Sequence, residues 1–198
     1  MKSKVYIKMY DAPKIDKKEV LRYAGVRDED DGALSLLDSC IKDSESAFGY
    51  RICYSRYPVS VDGDSIDLGF SRVSSHSLAL CLCNCDEVVV FCATVGVEID
   101  RLIRRYSLTS PAIATMLQAF GSERVEALCD AFCADIEKEI GRKLRPRFSP
   151  GYGDLPLDLQ REIFSCLEPS KIGVTLTENL FMSPSKSVTA IIGIKREI

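Results

Sequence analysis

The stretch SPAIATMLQAFGSERVEALCDAFCADIEKEI, Ser110 to Ile140, decides the fold. Ser110-Pro111 is a typical helix start, because the N–H that proline lacks would have no partner at the first helical position. Apolar residues then recur at spacings of three and four, which predicts one long amphipathic helix from about 110 to 140, with Gly121 as a candidate position for a bend. The apolar stripe comprises Ile113, Met116, Leu117, Phe120, Val125, Leu128, Cys129, Phe132, Ile136 and Ile140.

The rest of this predicted helix is rich in acidic residues. They are Glu123, Glu126, Asp130, Asp135, Glu137 and Glu139. Charged residues opposite an apolar stripe are ordinarily solvated, so we expect these carboxylates to face water.

Shorter patterns surround the long helix. Asp16-x-x-Glu19 resembles a capping box that opens a helix, and Gly25 can close it. Asp62-Gly63 is a turn signal between two β-rich segments. The other predicted helices are 32–41, 74–83, 97–106 and 159–167, and the predicted strands are 5–9, 50–61, 65–70, 87–94, 172–177, 178–182 and 187–194. This irregular order favours an α+β fold, a mostly antiparallel twisted sheet with flanking helices, over a doubly wound sheet.

Composition limits the classes of protein to be considered. The chain has 198 residues and a formal net charge of −3. This length suits a single domain, 1–198, and the charge argues against binding to nucleic acid. Apolar stretches fall short of the ~20 residues that cross a membrane, and the first residues do not resemble a signal peptide. We therefore expect a cytoplasmic protein that contacts no membrane.

Nine cysteines leave a metal or redox protein open as one alternative. Cys81, Cys83 and Cys85 form C-x-C-x-C, whereas zinc and iron–sulfur sites usually contain C-x₂-C pairs. In a reducing compartment, free cysteine behaves as a small buried apolar residue. We expect reduced, metal-free thiols. The chain has one histidine, His76, which has no evident catalytic partner in the sequence.

The segment RPRFSPGYGDLP, Arg145 to Pro156, follows the long helix and favours ligand binding. Its prolines restrict the backbone, and its glycines allow backbone amides to approach a ligand. Arg147 offers a planar fork for a carboxylate, and Tyr152 offers an aromatic face. The pattern G-x-G-x-x-P is not the dinucleotide-binding G-x-G-x-x-G. Alternatively, the loop packs on the core and Arg147 caps the helix carbonyls.

Three blocks of sequence resemble a known family. Arg147-Phe-Ser-Pro-Gly151-Tyr152 is similar to the R-x-x-x-G-Y signature for S-adenosylmethionine in the activation domain of cobalamin-dependent methionine synthase. Leu176-Thr177-Glu178 with Met182-x-Pro184-x-x-Ser187-Val188 resembles the family's L-T-E-S-x-x-M-x-P-x-x-S-V, and RVEALCDAFCADIEKEI resembles its long helix. The likeness covers 121–194, whereas 1–70 match weakly. Gly153 and Leu155 replace the family's Pro and Cys, so this loop is less rigid.

The resemblance implies a free-standing short form of this domain. Such a domain holds S-adenosylmethionine against a corrin while an electron donor, often flavodoxin, reduces cob(II)alamin, and the cobalt then takes the methyl group. By position, Arg147 would hold the methionyl carboxylate and Ser149 would offer backbone hydrogen bonds near adenine. Pro150, Gly151 and Tyr152 would shape the pocket.

The reaction needs a bound cobalamin, and this sequence has no motif that would carry one, so the resemblance implies a partner protein. Ser74 and Ala79 stand where a cobalamin carrier with the D-x-H-x-x-G motif has Asp and Gly around its His. The cobalamin would therefore belong to a separate methionine synthase that lacks its own activation domain. The alternative is a non-catalytic interaction subunit of a corrinoid methyltransferase that has lost S-adenosylmethionine binding.

Overall fold

The computed structural model describes residues 4–26 and 30–197. The strands are β1 Tyr6–Tyr10, β2 Tyr50–Pro58, β3 Ser60–Asp62, β4 Ser65–Asp67, β5 Arg72–Ser74, β6 Cys85–Thr94, β7 Thr175–Leu176, β8 Met182–Ser183 and β9 Ser187–Lys195. The helices are α1 Lys17–Tyr23, α2 Asp31–Ser44, α3 His76–Cys81, α4 Glu98–Ser107, α5 Pro111–Ile140 and α6 Leu159–Leu167. Short 3₁₀ turns cover Glu45–Ala47 and Pro169–Ile172.

The main sheet has the strand order β1-β2-β6-β9, and every neighbouring pair is antiparallel. The residues after α5 run along the outer edge of β9, where Leu144 bridges to Ile194 and Phe148 to Ile191. Helices flank this sheet, so the predicted α+β class is confirmed.

Alternate side chains of the central strand β6 build two separate apolar cores, because successive residues of a strand point to opposite faces. Val89, Phe91 and Ala93 contribute to the core under α1, α2, α4 and α5. Val88, Val90 and Cys92 contribute to the core under α3 and α6. All six side chains are fully buried, so the sheet is covered by helices on both faces around β6.

The long helix α5 runs without interruption from Pro111 to Ile140 and confirms the predicted span. Gly141 ends it in the left-handed conformation and donates its N–H to the carbonyl of Glu137. Gly121 does not interrupt the helix. Instead, a Cβ at this position would lie 3.1 Å from side-chain carbons of Lys186, so Gly121 provides space for that side chain to cross the helix.

The helix α1 begins at the expected place but with half of the expected cap. The carboxylate of Asp16 accepts the N–H groups of Lys18 and Glu19, as an N-cap residue does. Glu19 does not reach back to Asp16, since its carboxylate pairs with Arg22. The N–H of Asp16 donates to Glu123 on α5 at 2.9 Å, so a tertiary contact replaces the second half of the capping box.

The structure confirms the turn predicted at Asp62-Gly63, since β3 and β4 pair on either side of it. Other boundaries differ, because the third strand of this small sheet was not predicted. The strands β3, β4 and β5 form a separate antiparallel sheet, and β5 ends at Ser74, where the sequence predicts the start of a helix. The helix α3 starts two residues later because the Ser75 hydroxyl accepts the N–H of Leu78 and caps it. The predicted strands 172–177 and 178–182 are reduced to the two-residue strands β7 and β8.

No helix within 4–26 and 30–197 combines the length and apolar character needed to cross a lipid bilayer.

Gly193 on β9 is a position where an added methyl group has no room. Its Cβ would lie 2.6 Å from Cys85 Sγ and 2.8 Å from Leu82 Cδ2. We expect Gly193→Ala to lower the free energy of unfolding by about 1–3 kcal/mol, because overpacking displaces buried neighbours. Chemical denaturation followed by circular dichroism measures the change. Gly49→Ala is the matched control, since its Cβ would make an ordinary 3.5 Å contact with Arg51. Equal stabilities of the two variants would contradict the prediction.

Candidate functional site

A buried ion pair on α5 anchors the segment that precedes α1. The Arg124 guanidinium donates from Nε to Glu123 Oε2 and from Nη2 to Glu123 Oε1, both at 2.6 Å. It also donates to the backbone carbonyls of Pro13 at 2.5 Å and Lys14 at 2.9 Å. The side chains of Glu123 and Arg124 are 4% and 1% exposed, which contradicts the expected solvation of Glu123. These contacts fix residues 13–16 against the helix.

The charges of this pair compensate each other. Burial lowers the pKa of Arg124, but the hydrogen bonds and the charge of Glu123 raise it by more, so the pKa lies above its ordinary value. A buried ion pair needs its remaining hydrogen-bonding groups satisfied, and the backbone of residues 13–16 satisfies them here. The segment and the ion pair therefore stabilise each other.

The anchored segment forms one wall of a groove of about 490 Å³. The other walls are Glu19 and Tyr23 of α1, and Glu126 and Asp130 of α5, with Arg147 at one end. A second groove of about 620 Å³ also borders Arg147 and includes Cys133, Glu137 and Pro146. Asp130 and Arg147 border both grooves, so the two grooves meet at these residues.

The Arg147 guanidinium is held by two carboxylates one helical turn apart. Its Nη1 lies 2.6 Å from Asp130 Oδ1, and its Nη2 lies 2.8 Å from Glu126 Oε2. Burial lowers the pKa of Arg147, and nearby negative groups that include Asp130 and Glu126 raise it by more, so the pKa lies above its ordinary value. Its side chain remains 23% exposed, and those of Glu126 and Asp130 are 40% and 75% exposed. Solvent therefore reaches this cluster.

Arg147 does not cap the helix end, contrary to the alternative drawn from the sequence. The carbonyl of Glu137 accepts the Gly141 N–H instead. The guanidinium fork is presented to side-chain carboxylates, which is the kind of partner that the sequence predicts, although here the carboxylates belong to the protein.

The other predicted site residues lie in the turn after Phe148. The N–H of Gly151 donates to the carbonyl of Leu155, and that of Tyr152 donates to the carbonyl of Ser149. Pro150 is buried, and the Tyr152 side chain is 69% exposed with its ring edge-on to Phe148. Ser149, Pro150, Gly151 and Tyr152 line neither of the two grooves. The structure thus places Arg147 at the grooves and these four residues outside them, so their binding role stays a prediction.

Asp154, which the sequence analysis overlooked, fastens this turn to the N-terminus of α3. Its carboxylate accepts the Ser75 hydroxyl at 2.6 Å and the N–H groups of His76 and Ser77 at 2.7 and 3.1 Å. The hydrogen bond from Ser75 and those from His76 and Ser77 hold the pKa of Asp154 well below its usual range. Gly153, at φ +57°, allows close contact, since a Cβ would lie 3.0 Å from Ser77 Oγ.

We expect Asp154→Asn to lower the thermal stability at neutral pH, with a difference from wild type that shrinks in acid. The folded-state pKa of Asp154 is depressed, so its stabilising contribution is present above the unfolded-state pKa of about 3.9 and is lost as the pH falls through the folded-state pKa. Thermal melts at pH 7 and at decreasing acidic pH give the difference. A gap between the two proteins that widens in acid would contradict this assignment. Asp158→Asn, a nearby exposed change, serves as the control.

All nine cysteines are free thiols in the structure. Burial raises the pKa of Cys166 to about 11, and burial likewise raises the pKa of Cys129 and Cys133. Cys81 ends α3, Cys83 lies exposed in the turn that follows, and Cys85 begins β6. Within the described ranges, no three His, Cys, Asp or Glu side chains are grouped so that they could hold a metal ion.

We expect thiol titration of the denatured protein to count nine free thiols, and elemental analysis of the native protein to find no stoichiometric iron or zinc. The native protein should react quickly at Cys83 and slowly at the buried thiols, because the thiolate must form and be accessible. A bound metal, or unfolding on addition of a chelator, would instead support the metal-protein alternative.

No protein-family model matches this sequence, and no curated protein matches it significantly. Among solved structures, the chain is similar to one titled "Crystal Structure of the MetH Reactivation Domain bound to AdoHcy". The TM-score is 0.75, with 16% sequence identity over 97% of this chain and 78% of that chain. The chain therefore has the fold of the MetH reactivation domain.

Proposed function

We propose that this chain binds S-adenosylmethionine, or its demethylated product AdoHcy, at Arg147. One observation carries the proposal: the arginine of Arg-x-x-x-Gly-Tyr stands where two grooves meet, on a fold shared with the MetH reactivation domain, whose crystal structure has AdoHcy bound. The arginine of the sequence motif thus lies beside accessible space in the folded chain.

The charges around Arg147 complement the amino-acid end of such a ligand. That end carries a carboxylate and an ammonium group, and S-adenosylmethionine carries a further positive charge on its sulfonium. Arg147 can present two N–H groups to the carboxylate, and the exposed oxygens of Glu126 and Asp130 can accept the ammonium. The cluster of one guanidinium and two carboxylates carries a net charge of −1. S-adenosylmethionine, with its carboxylate, ammonium and sulfonium, carries +1, so the positive and negative groups of the complex would be equal in number.

The proposed role of the bound S-adenosylmethionine is that of methyl donor. It would serve the reductive remethylation of cob(II)alamin on a separate methionine synthase that lacks its own activation domain. The partner's cobalamin, after reduction by a flavodoxin-like donor, would supply the nucleophile that takes the methyl group. This chain would hold the sulfonium in position, a role that needs geometry and no acid or base. Nine free thiols agree with the cytoplasmic location that this role implies.

A second candidate is a non-catalytic interaction subunit that keeps the fold but binds no S-adenosylmethionine. The specific observation in its favour is that both ends of the Arg147 fork already contact carboxylates, at 2.6 and 2.8 Å. A ligand carboxylate must displace at least one of them. The replacement of the family's Pro and Cys by Gly153 and Leu155 points in the same direction.

Titration calorimetry with S-adenosylmethionine and AdoHcy separates the two candidates. Saturable binding of both, with adenosine and methionine binding far more weakly, supports the proposed site, because only the joined ligand spans carboxylate and adenine. The absence of binding, also when a cobalamin-loaded synthase is present, supports the interaction subunit.

The reaction itself is tested by mixing this chain with a cob(II)alamin-loaded synthase, S-adenosylmethionine and a competent reductant. We expect the absorbance of methylcobalamin to rise faster with the chain than without it. Equal rates at every ratio of chain to synthase would rule out the remethylation role while leaving ligand binding as measured by calorimetry.

A further inference from the structure

Among the residues that the structure describes, no strand covers the outer edge of β1. The two edges of the main sheet are β1 and β9, and the residues after α5 partly cover β9 through the bridges at Leu144 and Phe148. Within 4–26 and 30–197, β1 pairs with β2 and with no other strand. An open edge carries backbone N–H and C=O groups that another strand can take up.

The side chains of β1 divide into a polar face and an apolar face. Lys8 donates to Asp135 at 2.7 Å and Glu139 at 2.6 Å, and the Tyr10 hydroxyl donates to Asp135 at 2.9 Å, so these residues lie on the α5 face. Ile7 and Met9 point to the opposite face and are 49% and 79% exposed. Two exposed apolar side chains beside free backbone groups mark a surface suited to strand pairing.

We infer that β1 pairs with β1 of a second copy of this chain, in an antiparallel arrangement with Ile7 opposite itself. A two-fold axis through this position sets Val5 of one protomer opposite Met9 of its partner. On the other face, it sets Lys8 opposite Tyr6 and Lys4 opposite Tyr10. Apolar side chains then meet apolar ones, and each lysine meets an aromatic ring, which is a favourable cation–π partner.

The charges of the strand select this register. An axis through Lys8 places two lysines directly opposite each other, and an axis through Tyr6 places Lys4 opposite Lys8. An axis through Met9 places Ile7 opposite Asp11. Registers that pair odd with even positions set Ile7 or Met9 opposite a lysine and break the match of the two faces.

The resulting dimer has a continuous eight-stranded sheet with α5 of both protomers on the same face. Each protomer contributes only the short strand β1 to the interface. The interface is therefore small and the dimer is weak, with a dissociation constant between roughly 1 µM and 1 mM. This inference depends on the strand alone and is independent of the proposed ligand.

Sedimentation velocity over a range of concentrations tests the dimer. We expect the wild type to move from monomer to dimer as its concentration rises, and Ile7→Lys to remain monomeric, since two lysines would meet on the axis. Leu108→Lys replaces a more exposed leucine, 87% accessible and outside β1, and should dimerise like the wild type. Circular dichroism establishes that each variant is folded.

The register is tested by disulfide crosslinking in a Cys83→Ser background, which removes the exposed native thiol. Ile7→Cys should form a covalent dimer on mild oxidation, because the residue faces itself. Met9→Cys should form little dimer alone and much more when mixed with Val5→Cys. A wild type that stays monomeric at every concentration, or equal self-crosslinking at positions 7 and 9, would overturn the inference.

Discussion

Replacing Arg147 with alanine is expected to weaken the binding of S-adenosylmethionine by roughly 10-fold to 150-fold, which corresponds to the about 1.5–3 kcal/mol of a hydrogen bond to a charged group. The loss comes from the ligand carboxylate, which would have no fork to bind. Glu126 and Asp130 would also lose their partner, and their unneutralised charges would repel the same carboxylate. Titration calorimetry measures the change.

One further variant separates the geometry of Arg147 from its charge, and another serves as the control. Arg147→Lys keeps the positive charge but cannot present two parallel N–H groups, so it should recover only part of the affinity. Arg101→Ala removes another arginine that pairs with a helical carboxylate, Glu98 at 2.5 Å, but lies outside both grooves, and should bind like the wild type. If Arg147→Ala also binds as tightly as the wild type, Arg147 does not hold the ligand.

The sequence predicts the fold well where residues close together in the chain determine the structure. The stripe along α5 continues to Ile140, and Ser110-Pro111 marks its start, so its limits are predicted correctly. The alternation in β1 and the cap of α1 are equally local signals. The capping box fails only in its second half, where the N–H of Asp16 finds Glu123, 107 residues away.

Contacts between distant residues account for what the sequence does not predict. Glu123 belongs to the acidic group of α5 by composition, and it is buried because residues 13–16 fold over it. In the sequence, Glu123 and Arg124 are adjacent and interrupt the apolar stripe of α5. This interruption is only a weak signal for a buried ion pair. For Arg147, the motif identifies the residue, but its engagement with Glu126 and Asp130 depends on how the chain returns along β9.

Removing one member of the buried pair should have the largest effect on stability of any change considered. We expect Arg124→Met to lower the free energy of unfolding by about 3–5 kcal/mol, because it leaves the Glu123 carboxylate buried without its counter-ion. The backbone carbonyls of Pro13 and Lys14 also lose their donors. Urea denaturation followed by circular dichroism measures this change, since the chain has no tryptophan to report by fluorescence.

The double variant Glu123→Leu/Arg124→Met should cost less than the sum of the single changes, because no uncompensated charge remains, although the N–H of Asp16 still lacks an acceptor. The exposed pair Glu98 and Arg101 provides the control, and its removal should cost at most about 1 kcal/mol. Additive costs at Glu123 and Arg124 would show that they do not act as a pair.

Because residues 13–16 form a wall of the Arg147 groove, Arg124→Met should also weaken ligand binding under conditions where the protein remains folded. Such a result would link the stability of the buried pair to the function of the site.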